Sequence, residues 1–398
     1  MTHIAKTLLV AALSTAAVAN PAAGASFTTI YTTTSGPPVA LAAAGETLYG
    51  TVLSPYCYSV YELQPPANSG SAWTFTTIYT FTGSGGNIAC ALTGPVVGAH
   101  GDLYGVYAQD AEDSTPVMYE LQPPAAPGGA WTESVALSSD LLGPELPSLV
   151  KGPDGSFYGL SAGGLVQLFP PAEPGLPWSG VLLWAIGSCE TGFGRSGPLV
   201  VGPDGSVYGV NDLPLCYPNS KGNVFQLTPP VAPGGPWNYQ VIHNFEYADR
   251  LGNPYSLALG EDGTLYGTTL GSAGTGVPAV AAVYQLQPPT SGGGEWTYTV
   301  LKNFGPEPTM QIPLLLQNGN LYGGFFVLGN VPLGVVFEMK PPSTPGGAWT
   351  TAYLHHWTDG QVPTGNLVVD KDGTIFGTTI ADPCLGSCSG TVFQITTK

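Results

Sequence analysis

The sequence predicts an all-β chain built from seven copies of one unit, and the first observation behind this prediction is a period. An aromatic residue followed by glycine recurs in the same local setting every 50 to 58 residues. The seven copies stand at Tyr49, Tyr104, Tyr158, Tyr208, Tyr266, Tyr322 and Phe376. A period of this length is typical of repeat architectures in which one unit cannot bury its apolar face alone.

The second observation is that each unit contains four short apolar segments. The first follows a tryptophan, as at residues 73–81, and the second is rich in Leu and Val, as at 198–201. An Asp-Gly turn precedes the third, as at 262–269, and residues 224–227 represent the fourth. Alternating apolar, β-branched and aromatic residues indicate strands, and Asp-Gly is a strong hairpin signal. Seven units of four antiparallel strands predict a seven-bladed β-propeller.

The third observation concerns the two ends of the repeat region. Residues 27–31 form a first segment that has no preceding unit, whereas the chain ends on a fourth segment. If the Trp-led strand is outermost, the N-terminal strand completes the blade that the last three C-terminal strands build. The N-terminal strand then closes the ring and leaves no open sheet edge there. An open β-solenoid is the architectural alternative.

Residues 1–25 have the composition of a secretory signal peptide. Lys6 supplies a positive n-region, and residues 7–19 form an apolar run that is too short to span a bilayer. Residues 23–25 then offer a small-x-small cleavage site. We therefore expect a single mature domain, residues 26–398, in the extracellular space or the periplasm and without a membrane span. An N-terminal membrane helix is the alternative.

The charge of the mature chain argues against polyanionic partners. Removing the leader with Lys6 leaves 8 basic and 26 acidic residues, which is a formal charge of −18. Nucleic acid and anionic lipid are poor partners for such a surface, because binding phosphate groups requires clustered Lys and Arg. The sequence does not indicate an oligomeric state.

Three segments resemble a known repeat family. Leu265-Tyr-Gly-Thr-Thr269, Ile375-Phe-Gly-Thr-Thr379 and Gly390-Thr-Val-Phe-Gln394 are similar to the tandem repeat of the bacterial GloVer-type extracellular repeat proteins. The resemblance covers nearly all of residues 27–398 and implies an exported bacterial protein. It implies no activity, because that family has no agreed biochemical role.

Loop lengths distinguish the two faces of the predicted disc. The Pro-Pro pair stands 8 residues before the next tryptophan in all six copies, and the Asp-Gly turn has one length in six of seven units. The other two loops vary: 12 to 22 residues separate the aromatic from Pro-Pro, and 26 to 31 separate the tryptophan from the aromatic. Because successive turns of a blade alternate between faces, the disc has a constant-loop face and a variable-loop face. Function on such scaffolds lies in variable loops, so the variable-loop face is the predicted binding surface.

All six cysteines fall in the variable loops, and in an exported chain they predict disulfides. Proximity along the chain favours the pairs Cys57–Cys90, Cys189–Cys216 and Cys384–Cys388, one of the roughly 15 connectivities that six cysteines allow. Such bridges would stiffen long loops.

The variable-loop face also contains the candidate binding residues. They are Tyr56, Tyr58, Asp110, Glu112, Asp113, Arg195, Tyr217, Asp249 and Arg250. Aromatic rings can stack on sugars while carboxylates accept protons from sugar hydroxyls, so this set suits a carbohydrate. It also suits a protein partner or loosely bound Ca²⁺, and a solvated loop face without any ligand is the simplest alternative.

Catalytic signatures do not occur in the context that they require. Residues 159–163 read G-x-S-x-G, but Ser161 lies at the repeat's own aromatic-Gly position and not in a strand–turn–helix. His100, His243, His355 and His356 do not show metal-ligand spacing, and no cofactor motif is present. The leading prediction is a binding or scaffold module for a carbohydrate or a protein. The alternatives are a structural surface protein and a glycan hydrolase or lyase whose carboxylates converge from different blades.

Overall fold

The computed structural model has an all-β fold, with thirty strands among the residues that it describes. It describes residues 25–34, 36–53, 58–68, 71–81, 90–91, 94–108, 116–126, 128–138, 141, 149–161, 163–171, 177–185, 199–211, 220–232, 234–246, 249, 251–271, 279–290, 294–306, 308–310, 312–327, 333–344, 346–381 and 389–397. The strands form seven separate antiparallel sheets, which are the blades of a closed seven-bladed β-propeller. The predicted fold is confirmed.

Blades 1 to 4 take their strands in chain order from the inner to the outer edge. Blade 1 consists of β2 (Pro38–Ala44), β3 (Thr47–Leu53), β4 (Tyr58–Gln64) and β5 (Thr74–Thr80). Blade 2 has an inner strand in two pieces, β6 (Cys90–Ala91) and β7 (Val96–Val97), then β8 (Leu103–Ala108), β9 (Pro116–Gln122) and β10 (Thr132–Ser138). Blade 3 consists of β11 (Leu149–Lys151), β12 (Phe157–Ser161), β13 (Gly164–Phe169) and β14 (Ser179–Ala185). Blade 4 consists of β15 (Val200–Val201), β16 (Val207–Asn211), β17 (Ser220–Thr228) and β18 (Asn238–Glu246).

Blades 5 to 7 follow the same plan, except that blade 7 borrows its outer strand. Blade 5 consists of β19 (Pro254–Leu259), β20 (Leu265–Thr269), β21 (Ala281–Gln287) and β22 (Thr297–Gly305). Blade 6 consists of β23 (Pro308–Thr309), β24 (Leu315–Gln317), β25 (Asn320–Val327), β26 (Leu333–Lys340) and β27 (Thr350–Trp357). Blade 7 consists of β28 (Gln361–Val369), β29 (Ile375–Ala381), β30 (Gly390–Thr396) and the N-terminal strand β1 (Ser26–Thr33).

The ring is closed by pairing between the two ends of the chain, as predicted. Strand β1 pairs antiparallel with β30, from Ser26 opposite Thr396 to Thr33 opposite Gly390. The Thr33 hydroxyl donates a hydrogen bond of 3.1 Å to the Gly390 carbonyl. Closure therefore joins the first described strand to the last one.

The aromatic-Gly motif has a packing explanation. In six blades the glycine lies opposite an aromatic residue of the next strand, and the ring of that residue covers the glycine. Gly267, for example, pairs with the fully buried Tyr284, and a Cβ at Gly267 would lie 2.2 Å from Tyr284 Cζ. The six rings are Tyr61, Tyr119, Phe225, Tyr284, Phe337 and Phe393; in blade 3, Val166 lies opposite Gly159.

The aromatic residue of the motif packs against the next blade. Tyr49 of blade 1 contacts Trp131 of blade 2 at 5.8 Å between ring centroids, and Phe376 of blade 7 contacts Trp73 of blade 1 at 5.7 Å. The same contact recurs at six of the seven junctions. At the junction of blades 6 and 7, Ala25 stands at the tryptophan position and packs against the cluster that contains Tyr322.

A second set of contacts joins the outer strands of neighbouring blades. His243 stacks on Tyr298 at 4.0 Å between ring centroids, and His355 stacks on Phe27 of β1 at 3.5 Å. Trp184 and Tyr239 form the same stack at 4.2 Å. His243 and His355 are therefore packing residues of the outer strands.

We expect Gly267→Ala to destabilise the protein by about 1–3 kcal/mol, the usual cost of overpacking a core. Tyr284 is fully buried and cannot swing away from the new methyl group. The measurement is the free energy of unfolding in denaturant. The matched control is Gly159→Ala, opposite the smaller Val166, which should cost less. Equal losses in both variants would contradict the ring-on-glycine explanation.

We expect Tyr284→Phe to raise the free energy of unfolding by about 1 kcal/mol, because a buried hydroxyl without a partner is costly. Among the described residues the Tyr284 hydroxyl has no hydrogen-bond partner, and the same is true of Tyr61 and Tyr119. Blades 4, 6 and 7 already have phenylalanine at this position. The reverse change, Phe225→Tyr, serves as the control and should be destabilising. A loss of stability in Tyr284→Phe would mean that its hydroxyl does have a partner.

We expect the closing strand to become less stable in acid. Burial, followed by the charge of His356, lowers the pKa of His355 from 6.5 to about 4, and Asp359 opposes this shift. The unfolded chain therefore binds the proton first, so stability falls as the pH drops from about 6.5 to about 4. Because the ring is partly exposed, we expect a loss of about 1 kcal/mol, well below the value of the full shift. His355→Phe should reduce the acid sensitivity measured by thermal unfolding; an unchanged pH profile would contradict this prediction.

Candidate functional site

Most residues of the predicted site lie outside the described part of the chain. They are Tyr56, Cys57, Asp110, Glu112, Asp113, Cys189, Arg195, Cys216, Tyr217, Arg250, Cys384 and Cys388. The binding site on the variable-loop face and the three disulfides therefore stay predictions. Of the others, Tyr58 begins β4 opposite Leu53, and Cys90 begins β6 opposite Ala108, so both lie in strands and not in loops.

Asp249 is the one predicted binding residue whose surroundings the structure describes. Its Oδ2 accepts a hydrogen bond of 2.9 Å from the Glu246 amide at the end of β18. Burial lowers the pKa of Lys221 and of His243, and in both cases the charge of Asp249 opposes the shift. The buried Lys221 ammonium donates to the Leu251 carbonyl. The junction of blades 4 and 5 thus brings a carboxylate close to a lysine and a histidine.

A cleft with a volume of about 760 Å³ opens on the constant-loop face between blades 2 and 3. Its floor is apolar and consists of Tyr104, Phe157 and Trp178, all of which are buried. The Trp178 ring lies 5.3 Å from the Tyr104 ring and 5.4 Å from the Phe157 ring, between centroids. The cleft is therefore built on the contact that joins the two blades.

The walls of the cleft differ in polarity. The apolar lining residues include Val135 of blade 2, which is 52% exposed, and Pro170 and Pro177 of blade 3. Asp102 and Glu120 are polar lining residues. In addition, Ser134, His100 and Lys151 line the cleft and are exposed.

Two positions of the repeat place the carboxylates. The first, which we call the turn position, lies two residues before the aromatic residue of the motif. The second, which we call the facing position, lies on the next strand and pairs with that aromatic residue. In blades 3 and 6 the turn and facing residues are hydrogen-bonded to each other: Gln167 Nε2 donates to Ser156 Oγ at 3.0 Å, and Asn320 Nδ2 donates to Glu338 Oε1 at 3.1 Å. The remaining pairs are Thr47 with Glu62, Asp102 with Glu120, Ser206 with Gln226, Thr264 with Gln285, and Thr374 with Gln394.

Blade 2 is the exception to this pattern, because both of its residues are carboxylates. Burial and then the charge of Glu120 raise the pKa of Asp102, while His100 and Lys151 oppose the shift. Glu120 Oε1 accepts hydrogen bonds from the Tyr104 hydroxyl at 3.0 Å and from Gln122 Nε2 at 3.4 Å. Asp102 and Glu120 are not among the residues predicted from the sequence. The signal for them in the sequence is that Asp102 departs from the Ser, Thr or Asn found at the turn position of the other copies.

A second cavity of about 580 Å³ lies on the same face of blade 5. Its described lining includes Asp262, Thr264 and Glu295 and contains no aromatic ring. Asp262 Oδ1 accepts from the Thr264 amide at 3.0 Å, and Oδ2 accepts from the Thr264 hydroxyl at 2.9 Å. Both oxygens of Asp262 are therefore engaged within the turn.

The described residues contain no group of three or more His, Cys, Asp or Glu side chains arranged to hold a metal ion. In the same part of the chain, no helix is long and apolar enough to cross a membrane. Ser161 is buried within the β12–β13 hairpin, where its hydroxyl donates to the Gly164 carbonyl at 3.2 Å. The G-x-S-x-G segment is therefore part of a blade and not a strand–turn–helix elbow.

Comparison with known proteins identifies the repeat. The Gloeobacter/Verrucomicrobia repeat matches residues 195–398, which is half of the chain. The chain belongs to this repeat family. The resemblance of the aromatic-Gly-Thr-Thr segments is thereby confirmed. No curated protein matches the sequence.

Solved structures with a similar fold have very different sequences. A protein from Lactobacillus plantarum is 16% identical, with a TM-score of 0.50 over 80% of this chain and 84% of that one. YCF48 from Cyanidioschyzon merolae is 11% identical, with a TM-score of 0.51 over 92% and 98%. Drosophila semaphorin 1a, extracellular domains 1–2, is 10% identical, with a TM-score of 0.51 over 92% and 86%. At these identities the similarity concerns the fold alone.

Proposed function

We propose that this member of the Gloeobacter/Verrucomicrobia repeat family is an exported binding module that recognises a carbohydrate in the cleft between blades 2 and 3. The observation that carries the proposal is the cleft itself, about 760 Å³ in volume, with an apolar floor and two carboxylates. Ligand sites typically have volumes of about 300–1,000 Å³, a mostly apolar lining and a few polar groups.

The two kinds of lining suit the two faces of a sugar ring. The C–H face of a pyranose can pack against Val135, Pro170 and Pro177. Its hydroxyls can donate to the oxygens of Asp102 and Glu120, which are acceptors when ionised. A flat, uniformly polar face would instead favour the structural alternative, and this cleft is neither flat nor uniform.

The spacing of the turn and facing positions in other blades favours binding over hydrolysis. A hydrogen bond joins the two side chains at 3.0 Å in blade 3 and at 3.1 Å in blade 6. Glycoside hydrolysis requires two carboxyl groups about 5 Å apart or more, so that a sugar carbon or a water fits between them. Two carboxylates as close as these pairs can hold a ligand but lack this space.

The proposal has two further parts, which are export of the chain and a second candidate binding surface on the variable-loop face. The signal peptide expected at residues 1–25 would deliver the chain to an oxidising compartment, where the six cysteines can pair. The variable-loop face, with Asp249 and its neighbours, is a second candidate surface for a carbohydrate or a protein. A single propeller can use both faces, because its loops leave the blades on opposite sides.

The test is retention of the mature protein, residues 26–398, on a panel of immobilised polysaccharides, with Val135→Arg as the cleft variant. The long side chain should fill the cleft and weaken binding by at least about tenfold. Val300→Arg is the matched control, since Val300 follows the tryptophan of blade 5 by the same four residues and is also exposed. Loss of retention in both variants, or in neither, would contradict a site in this cleft, and release of reducing ends would favour a hydrolase.

A further inference from the structure

The outermost strand of each blade forms the outer edge of its sheet. Among the described residues, these seven outer strands are β1, β5, β10, β14, β18, β22 and β27. An edge strand offers its backbone N–H and C=O groups to a further strand, and natural proteins usually protect such an edge with charged side chains. The repeat therefore allows a comparison of seven edges within one molecule.

Six of the seven outer strands have charged residues, histidine or exposed threonines. Strand β10 contains Glu133, β18 contains Glu246, β22 contains Lys302, and β27 contains His355 and His356. Strands β1 and β5 share the sequence Phe-Thr-Thr-Ile-Tyr-Thr, at residues 27–32 and 75–80. In both, the third and fourth positions of the strand are exposed threonines. These six edges are thus polar or carry a group that discourages pairing.

Strand β14 of blade 3 is the exception. Its exposed third and fourth positions are Val181 and Leu182, with 43% and 40% of their surface accessible. Phe169, which is 37% exposed, pairs with Ser179 on the neighbouring strand and extends the apolar surface. Residues 174–189 include no Asp, Glu, Lys, Arg or His. Blade 3 therefore has an apolar outer edge without charge.

The positions of the two side chains indicate what kind of partner can cover this edge. Val181 pairs with Gln167, and Leu182 pairs with Val166. Because consecutive residues of a strand point to opposite sides of the sheet, Val181 and Leu182 lie on opposite sides of the blade. A flat partner surface would cover only one of them, whereas an added strand covers both and also pairs with the backbone. Uncharged segments of this length that favour β-structure and lack proline are those that pair most readily.

We propose that the mature protein forms a two-fold dimer in which β14 pairs antiparallel with β14 of a second copy. The charge of the chain favours this occupant, because the protein is strongly acidic and two copies can approach each other with least repulsion at an uncharged surface. A two-fold axis also makes the contact self-complementary, since each strand meets its own apolar residues. The inference goes beyond the proposed function and does not depend on a ligand in the cleft.

The first measurement is sedimentation velocity of the intact mature protein, residues 26–398, between about 1 and 100 µM. A single strand pair is a small interface, so we expect the dimer fraction to rise across this range. Hydrogen exchange of the Ser179–Ala185 amides should slow as the dimer forms. A monomer at every concentration would overturn the proposal and leave the edge to a strand of another protein. Slower exchange confined to other strands would also overturn it, as would a dimer that persists in SDS without reductant and is therefore linked by disulfides.

The test variants change only exposed side chains. Val181→Thr with Leu182→Thr recreates Thr76 and Thr77 of β5, so the protein should fold normally and dimerise at least about tenfold more weakly. Leu182→Lys should abolish the dimer, because a lysine on an edge strand opposes pairing. Val300→Lys is the matched control, since Val300 is the equally exposed fourth position of β22, and it should leave the dimer unchanged. Wild-type dimerisation in the double variant, or an equal loss in Val300→Lys, would overturn the inference.

Discussion

The fold depends on an aromatic ring that lies on a bare glycine of the neighbouring strand. Because glycine has no Cβ, the ring of Tyr284 can reach the backbone of Gly267 and still be fully buried. The ring then belongs to a core that two blades share, since the cluster around Tyr284 includes Tyr208 of blade 4 and Leu265 of blade 5. No blade buries its apolar face without its neighbour, which is the physical reason that the unit occurs only as a repeated array.

Because each blade depends on its neighbour, the junction of blades 6 and 7 stands out as the one described junction without a tryptophan. Every other junction has a tryptophan that covers the aromatic of the preceding blade, whereas Ala25 takes that place beside Tyr322. The closing strand β1 therefore relies on its hydrogen bonds to β30 and on the stack of Phe27 against His355.

The period, the strand order and the ring closure could be predicted from the sequence because local patterns determine them. In blade 3, for example, the Asp-Gly turn is held by Asp154, whose Oδ1 accepts from the Ser156 amide at 3.1 Å. The cleft could not be predicted in the same way, because it requires the cross-strand register that sets Glu120 opposite Tyr104. Loop length favoured the variable-loop face, whose residue types suit a ligand but whose loops share no common length. The constant loops, whose fixed length indicates a structural role, line a cleft of about 760 Å³ among the described residues.

A repeat protein with little sequence variation at a position provides its own control for that position. At the turn and facing positions six blades carry at least one hydroxyl or amide, whereas blade 2 carries two acids. Both acids line a cavity of the size that ligands occupy. Blade 2 is joined to its neighbours by the same contact as the other blades, through Trp131 against Tyr49 and Trp178 against Tyr104. Because these ring contacts are made by residues other than the two acids, the side chains of the cleft can differ from those of the other blades while the junctions stay the same.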